Sequence, residues 1–157
     1  MIEQQIDILS DELIYNADCI CFTSNGVIKS DGTLTMGKGV AGAFKSKWPM
    51  IPRYAGECVK ANGNICQVVY VLPPDDGGSK DDRLTIVAFP TKHHYRNPSD
   101  IELIKQSALQ LVALTNDKGW RRVYLPFPGT GCGGLNKEDV RAVLSLILDD
   151  RFIITTL

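Results

Sequence analysis

The chain has 157 residues, 44% of them hydrophobic and 22% charged, with a formal net charge of −1 at neutral pH. That length supports a hydrophobic core without disulfides or a structural metal. The near-zero charge excludes the broad positive footprint of a protein that wraps DNA or RNA, although a group attached to a nucleic acid remains open as a substrate.

In chain order, residues 2–9 alternate enough to predict a strand with Asp7 inside it or at its end. Asp11 to Tyr15 reads as a turn or a short helical piece, and Ala17 to Ser24 as a buried strand. Asn25-Gly26 and Asp31-Gly32 are turn signals ahead of a glycine-rich loop, Thr35-Met36-Gly37-Lys38-Gly39-Val40. The loop runs on into good helix formers that stop at Pro49, and residues 52–62 predict a further helix. Strand, glycine loop and helix N-terminus together suit a phosphate, because glycine lets the backbone approach and the first-turn N–H groups point at the anion.

Cys66 to Leu72 is β-branched and reads as a strand; residues 73–82 read as an exposed connection, and Leu84 to Phe89 as the next strand. Ser99 to Lys118 is the clearest helix, with a capping box of Ser99 and Glu102 and with Gly119 at its end. Arg122 to Phe127 predicts a strand that leads into a second glycine loop, Pro128-Gly129-Thr130-Gly131-Cys132-Gly133-Gly134. Asn136 is placed to cap the following helix, and Phe152 to Thr156 closes the chain as a strand. Alternating strands and helices predict a layered α/β domain with a mixed sheet and helices on both faces, spanning 1–157. Two glycine loops that both follow strands predict a shared crevice for two phosphates, or for a phosphate and a sugar.

The five cysteines (Cys19, Cys21, Cys58, Cys66, Cys132) are odd in number and scattered, and His93 and His94 are adjacent. This spacing predicts reduced thiols and no metal site. Cys132 reads as a small residue in a tight turn. Met1 is followed by Ile2-Glu3-Gln4-Gln5, without the basic and apolar regions of a secretion signal, and no apolar run is long enough for a membrane span. The expectation is a cytoplasmic protein with no membrane partner.

These motifs resemble the macrodomain family, and within it the branch of the terminal ADP-ribose protein glycohydrolases and DarG-like proteins. The resemblance rests on Asp7-Ile8, MGKGVAGAFK at 36–45, FPTKHHYRNPS at 89–99, LPFPGTGCGGLN at 125–136 and the terminal LDDRFIITTL. It implies a three-layer α/β/α macrodomain that binds ADP-ribose and removes it from protein or nucleic acid; the expectation alongside is a monomer with no cofactor. It also implies that Asp7 accepts the adenine amino group with Ile8 beside the ring. Residues 35–40 and 128–134 would meet the diphosphate and distal ribose, and Lys92 would be the reactive lysine.

At Lys92, nucleophilic attack on the anomeric carbon and electrostatic support of the phosphates are both open. The nucleophilic role needs burial or neighbouring cations, for which His93, His94 and Arg96 are candidates. The branch commonly carries Gly-Gly-Leu-Asp where this chain has Gly133-Gly134-Leu135-Asn136. An amide cannot take a proton as a carboxylate does, so Asn136 leaves open a binder without turnover. A phosphatase acting on ADP-ribose phosphate is a third possibility, without a dedicated nucleophile.

Overall fold

The computed structural model describes residues 1–73 and 84–157. The chain runs β1 (Ile2–Gln5), α1 (Asp11–Asn16), β2 (Cys19–Ser24), α2 (Gly39–Lys47), α3 (Ile51–Asn62), β3 (Gln67–Leu72), β4 (Leu84–Pro90), α4 (Ile101–Lys118), β5 (Val123–Pro126), α5 (Lys137–Ser145) and β6 (Phe152–Thr156). The strands form a six-stranded sheet in the order β1-β6-β5-β2-β4-β3. Every pairing is parallel except β3 with β4, so the sheet is mixed as expected. The expected connection at 73–82 lies, beyond Pro73, outside the described residues.

Alternation along the strands builds two cores, one on each face of the sheet. Ile20, Phe22, Ile86, Ala88 and Tyr124 pack with Leu13 of α1, Phe44 of α2 and Ile51, Ala55 and Val59 of α3. Cys19, Cys21, Val87, Phe89, Val123 and Leu125 face the other way, onto Ile104, Ala108 and Leu111 of α4 and Val140 and Leu144 of α5. A side chain alternates faces every residue in a strand, so a doubly covered sheet reads as continuous hydrophobic runs. All seven residues of β4 are buried. The three-layer α/β/α arrangement expected from the sequence is the one observed.

Two expected element boundaries are corrected. The first strand ends at Gln5 rather than running to residue 9, because its partner β6 runs out at Thr156. The chain then turns: the Leu9 N–H donates to the Asp7 carboxylate at 2.9 Å, and the Ser10 N–H to the Asp7 carbonyl at 3.0 Å. This is a local side-chain turn that competes with the ladder. The capping box of Ser99 and Glu102 is also not formed. Asp100 caps α4 instead, accepting from the Glu102 N–H at 3.0 Å, while Ser99 is buried and donates its N–H to the Gly133 carbonyl at 2.9 Å.

The 25–38 segment crosses α3 on its way from β2 to α2. The Leu34 N–H donates to the Pro52 carbonyl at 2.8 Å. The crossing is close because residue 56 is glycine: a methyl group there would lie 2.1 Å from the Gly32 carbonyl oxygen and 2.9 Å from the Leu34 nitrogen. Both are backbone atoms that cannot rotate away. Gly56→Ala should therefore destabilise the fold by about 3 kcal/mol or more, read as a lower urea midpoint with an unchanged slope.

Candidate functional site

Five parallel strands direct their carboxyl ends to one edge, so the loops after β1, β2, β4 and β5 lie along it. β2 sits between β5 and β4, and the chain leaves it toward β4 and β3 but leaves β5 toward β6. Ligands in open α/β sheets bind at such a reversal of strand order. Here the reversal also coincides with a parting of strands. β2 pairs with β5 only through Cys19–Val123 and Ile20–Tyr124, whereas its ladder with β4 continues to Ser24–Pro90. The first glycine loop follows β2 and the second follows β5, so the two flank this opening.

The first loop is hung from the end of β2. Asn25 donates its side-chain amide to the Thr35 carbonyl at 3.0 Å and accepts from the Val27 N–H at 3.0 Å, and the Thr35 N–H donates to the Val27 carbonyl at 2.9 Å. Met36 is buried and anchors the loop, leaving Gly37, Lys38 and Gly39 exposed and Val40 half-buried. α2 then starts at Gly39 with no side chain capping it. Its first N–H groups remain available to an anion, with the helix dipole behind them.

The second loop is folded on itself. The Leu135 N–H donates to the Gly129 carbonyl at 2.9 Å and the Gly134 N–H to the Gly131 carbonyl at 3.2 Å. Pro128 and Gly133 are buried, Gly129 and Thr130 half-buried, and Gly131, Cys132 and Gly134 exposed. Gly129 and Gly134 have φ of 77° and 73°, a left-handed backbone. Gly133 is required by packing, since a methyl group there would sit 2.1 Å from the Ser99 hydroxyl and 2.5 Å from the Gly129 carbonyl. Gly37 and Gly131 are different. Neither has positive φ, and a methyl group on either would meet no atom within 4 Å. Nothing within the protein demands glycine at these two positions.

Lys92 follows β4 and reaches over the end of β2. The Thr91 and Lys92 N–H groups donate to the Ser24 carbonyl at 3.0 and 3.3 Å. Lys92 Nζ donates at 3.4 Å both to the Tyr95 carbonyl and to the Cys132 carbonyl of the second glycine loop. The Lys92 peptide is held from behind: Asn64 Nδ2 donates to the Lys92 carbonyl at 3.0 Å, and the Gly26 N–H to the His93 carbonyl at 3.2 Å. The cations expected around Lys92 are engaged elsewhere. His93 pairs with Asp100 at 2.9 Å, the His94 ring lies on Tyr95, and the Arg96 guanidinium lies 5.6 Å from the Tyr95 ring centroid. The His93 hydrogen bond, and then the Glu102 N–H, hold the Asp100 carboxyl below its usual range.

Asn136 is occupied as a cap, accepting from the Glu138 and Asp139 N–H groups at 2.9 and 3.2 Å. The N-terminus of α5 is thus closed where that of α2 is open. Asp7 is exposed and Ile8 buried, on the turn that follows β1 along the same edge. An open cleft of about 420 Å³ beside α4 is lined by His93, Asp100, Glu102 and Leu109 among others, and no glycine-loop residue borders it.

Sequence reasoning missed three residues. Asn25 was legible only as a turn former, although its place after a buried strand was a signal. Asn64 and Ser99 bear on Lys92 and the second loop through contacts 28 and 34 positions away in the chain, which no local pattern encodes.

The Macro domain family model matches residues 29–144. The chain is 35% identical over 106 residues to a Mycobacterium tuberculosis protein named DNA ADP-ribosyl glycohydrolase, covering 67% of this chain and 29% of that protein. A Thermus aquaticus protein of the same name is 34% identical over 108 residues, with 68% and 29% covered. The chain thus spans less than a third of the length of these relatives. Among solved structures, the macrodomain of Mycobacterium tuberculosis DarG superposes with a TM-score of 0.75 at 26% identity, over 99% of this chain and 97% of that one. Thermosipho africanus DarTG in complex with ADP-ribose shares the fold, with a TM-score of 0.70 at 21% identity over 88% of this chain and 38% of that one. With two glycine loops flanking a strand-order reversal and a family match over most of its length, this chain belongs to the Macro domain family.

Proposed function

We propose that the chain binds ADP-ribose across the opening between β2 and β5 and hydrolyses an ADP-ribosyl linkage on DNA. One observation carries the binding half. Gly37 and Gly131 are glycines that neither backbone strain nor packing requires, one on each side of the opening. Close approach of a ligand to the backbone is the remaining physical reason for glycine there. The uncapped N–H groups of α2 and the amides of the second loop then hold the diphosphate, and Thr35, Met36, Lys38, Gly39 and Val40 complete the first side. Asp7 and Ile8 take the adenine at the far end, where a carboxylate accepts from the exocyclic amino group.

The reaction half rests on Lys92 and on the relatives named DNA ADP-ribosyl glycohydrolase. Lys92 Nζ already leans on the second loop through the Cys132 carbonyl, which supports a role for it beside the distal ribose. Its two carbonyl contacts use it as a donor, so an electrostatic role needs no rearrangement, and a nucleophilic one requires the amine to leave them. In hydrolysis the oxygen of water bonds to the anomeric carbon, the glycosidic bond breaks, and the departing base takes up a proton. Fixed backbone donors stabilise the charge that moves without reorganising.

A second reading, a binder without turnover, is favoured by Asn136, which supplies no carboxylate and spends its oxygen on the α5 cap. Asn136→Asp separates the two, since aspartate caps a helix as well as asparagine does. The hydrolase reading predicts little change in turnover, and a large gain would mark the native chain as a binder.

Lys92→Ala should lower release of ADP-ribose from modified DNA by about 100-fold or more while calorimetry still finds ADP-ribose bound. Gly37→Ala and Gly131→Ala should each keep stability within about 1 kcal/mol of the parent and weaken ADP-ribose binding by about tenfold or more. Lost stability with unchanged affinity would contradict the assignment.

A further inference from the structure

Beside Lys92 the loop carries a feature that the binding of ADP-ribose does not use. The rings of His94 and Tyr95 are stacked, with centroids 4.4 Å apart and planes 28° apart. The Arg96 guanidinium lies 5.6 Å from the Tyr95 centroid. The stack is held in shape, since the Arg96 N–H donates to His94 Nδ1 at 3.1 Å. It is also in solvent, with Tyr95 42% exposed. Residues 91–98 contain no carboxylate, and with His93 paired to Asp100 the positive charge beside the stack comes from Lys92 and Arg96.

We propose that the His94–Tyr95–Arg96 stack is a platform for the bases of single-stranded DNA flanking the ADP-ribosylated nucleotide. The inference rests on the reading of the site given above and names how the DNA is held. Whatever is attached to the anomeric carbon must leave the crevice past Lys92, and the Tyr95 carbonyl touches Lys92 Nζ. The stack and the exposed Cys132 of the second loop both border Lys92 Nζ, and of the two the stack offers the strand planar surfaces. Every base has a π-face, and aromatic and guanidinium planes accept it without regard to sequence. Cationic side chains around the ring suit the neighbouring phosphates, and what the bases add over an acidic peptide is a series of planes that stack on it. A platform fixed in advance gives up little freedom on binding.

The test compares affinities by calorimetry and fluorescence anisotropy for four probes. These are ADP-ribose, a single strand of about ten nucleotides carrying one ADP-ribosylated base, the same strand with abasic flanking positions, and an ADP-ribosylated peptide. The parent protein should bind the modified strand about tenfold or more tighter than ADP-ribose. Most of that gain should vanish with abasic flanks, which keep the phosphates, and in Tyr95→Ala, while Tyr95→Phe keeps it. Affinity for ADP-ribose itself should be the same in all three proteins, and thermal melts should coincide. An unchanged gain in Tyr95→Ala, a gain that survives abasic flanks, or an equal Tyr95-dependent gain with the peptide would each overturn the platform. If ADP-ribose fails to bind the parent protein, the site reading falls and the platform with it. Sound ADP-ribose binding with no gain from the strand refutes the platform alone.

Discussion

The short ladder between β2 and β5 is the constraint on which the site depends. Two residue pairs hold the strands together at their amino ends, and beyond Tyr124 they part. A parallel sheet that parts at its carboxyl end leaves a gap that the following loops must line, because the chain turns opposite ways on its two sides. Both loops here are rich in glycine and offer amides rather than side chains. An arrangement of that kind recognises charge and shape with little need for ionised residues, which accords with a near-neutral chain.

The glycines divide by what they answer to. Gly56 and Gly133 are fixed by contact, since neighbouring atoms occupy the space a methyl group would need. Gly63, Gly119, Gly129 and Gly134 sit in left-handed or related backbone with φ between 71° and 89°. Gly37 and Gly131 answer to neither demand and face open space. Sorting them in this way turns a compositional feature, a loop rich in glycine, into two specific positions that the proposed ligand would approach. The two helix N-termini sort in a similar way: α5 is closed by the Asn136 side chain, and α2 is left open.

Much of this was legible in the sequence. Apolar runs at 19–24 and 84–90, periodic helices and turn residues fixed the layers, because burial on both faces of a strand writes itself into consecutive residues. The Asn136 cap was legible because a cap is a local interaction over three residues. Asp7 was read as inside the first strand or at its end because the alternation looked right, while the limit of that strand was set by a partner 151 positions away. Ser99 and Asp100 compete for one cap, and the winner was decided by Gly133, which draws Ser99 inward. Lys92 was singled out in the sequence, but the Asn64 amide and the Gly26 N–H that pin its peptide were not, since each acts across the fold.

Lys92 joins the elements of this account, because it hydrogen-bonds the end of β2 through its backbone and the second loop through its amine. Its position ties together the parts of the molecule that the proposed ADP-ribose site would use as one. Backbone amide NMR during titration with ADP-ribose tests that claim most directly. The account predicts that the amides of residues 37–41 and 129–134 shift together, with one dissociation constant. Shifts confined to one loop, or two separate constants, would contradict it.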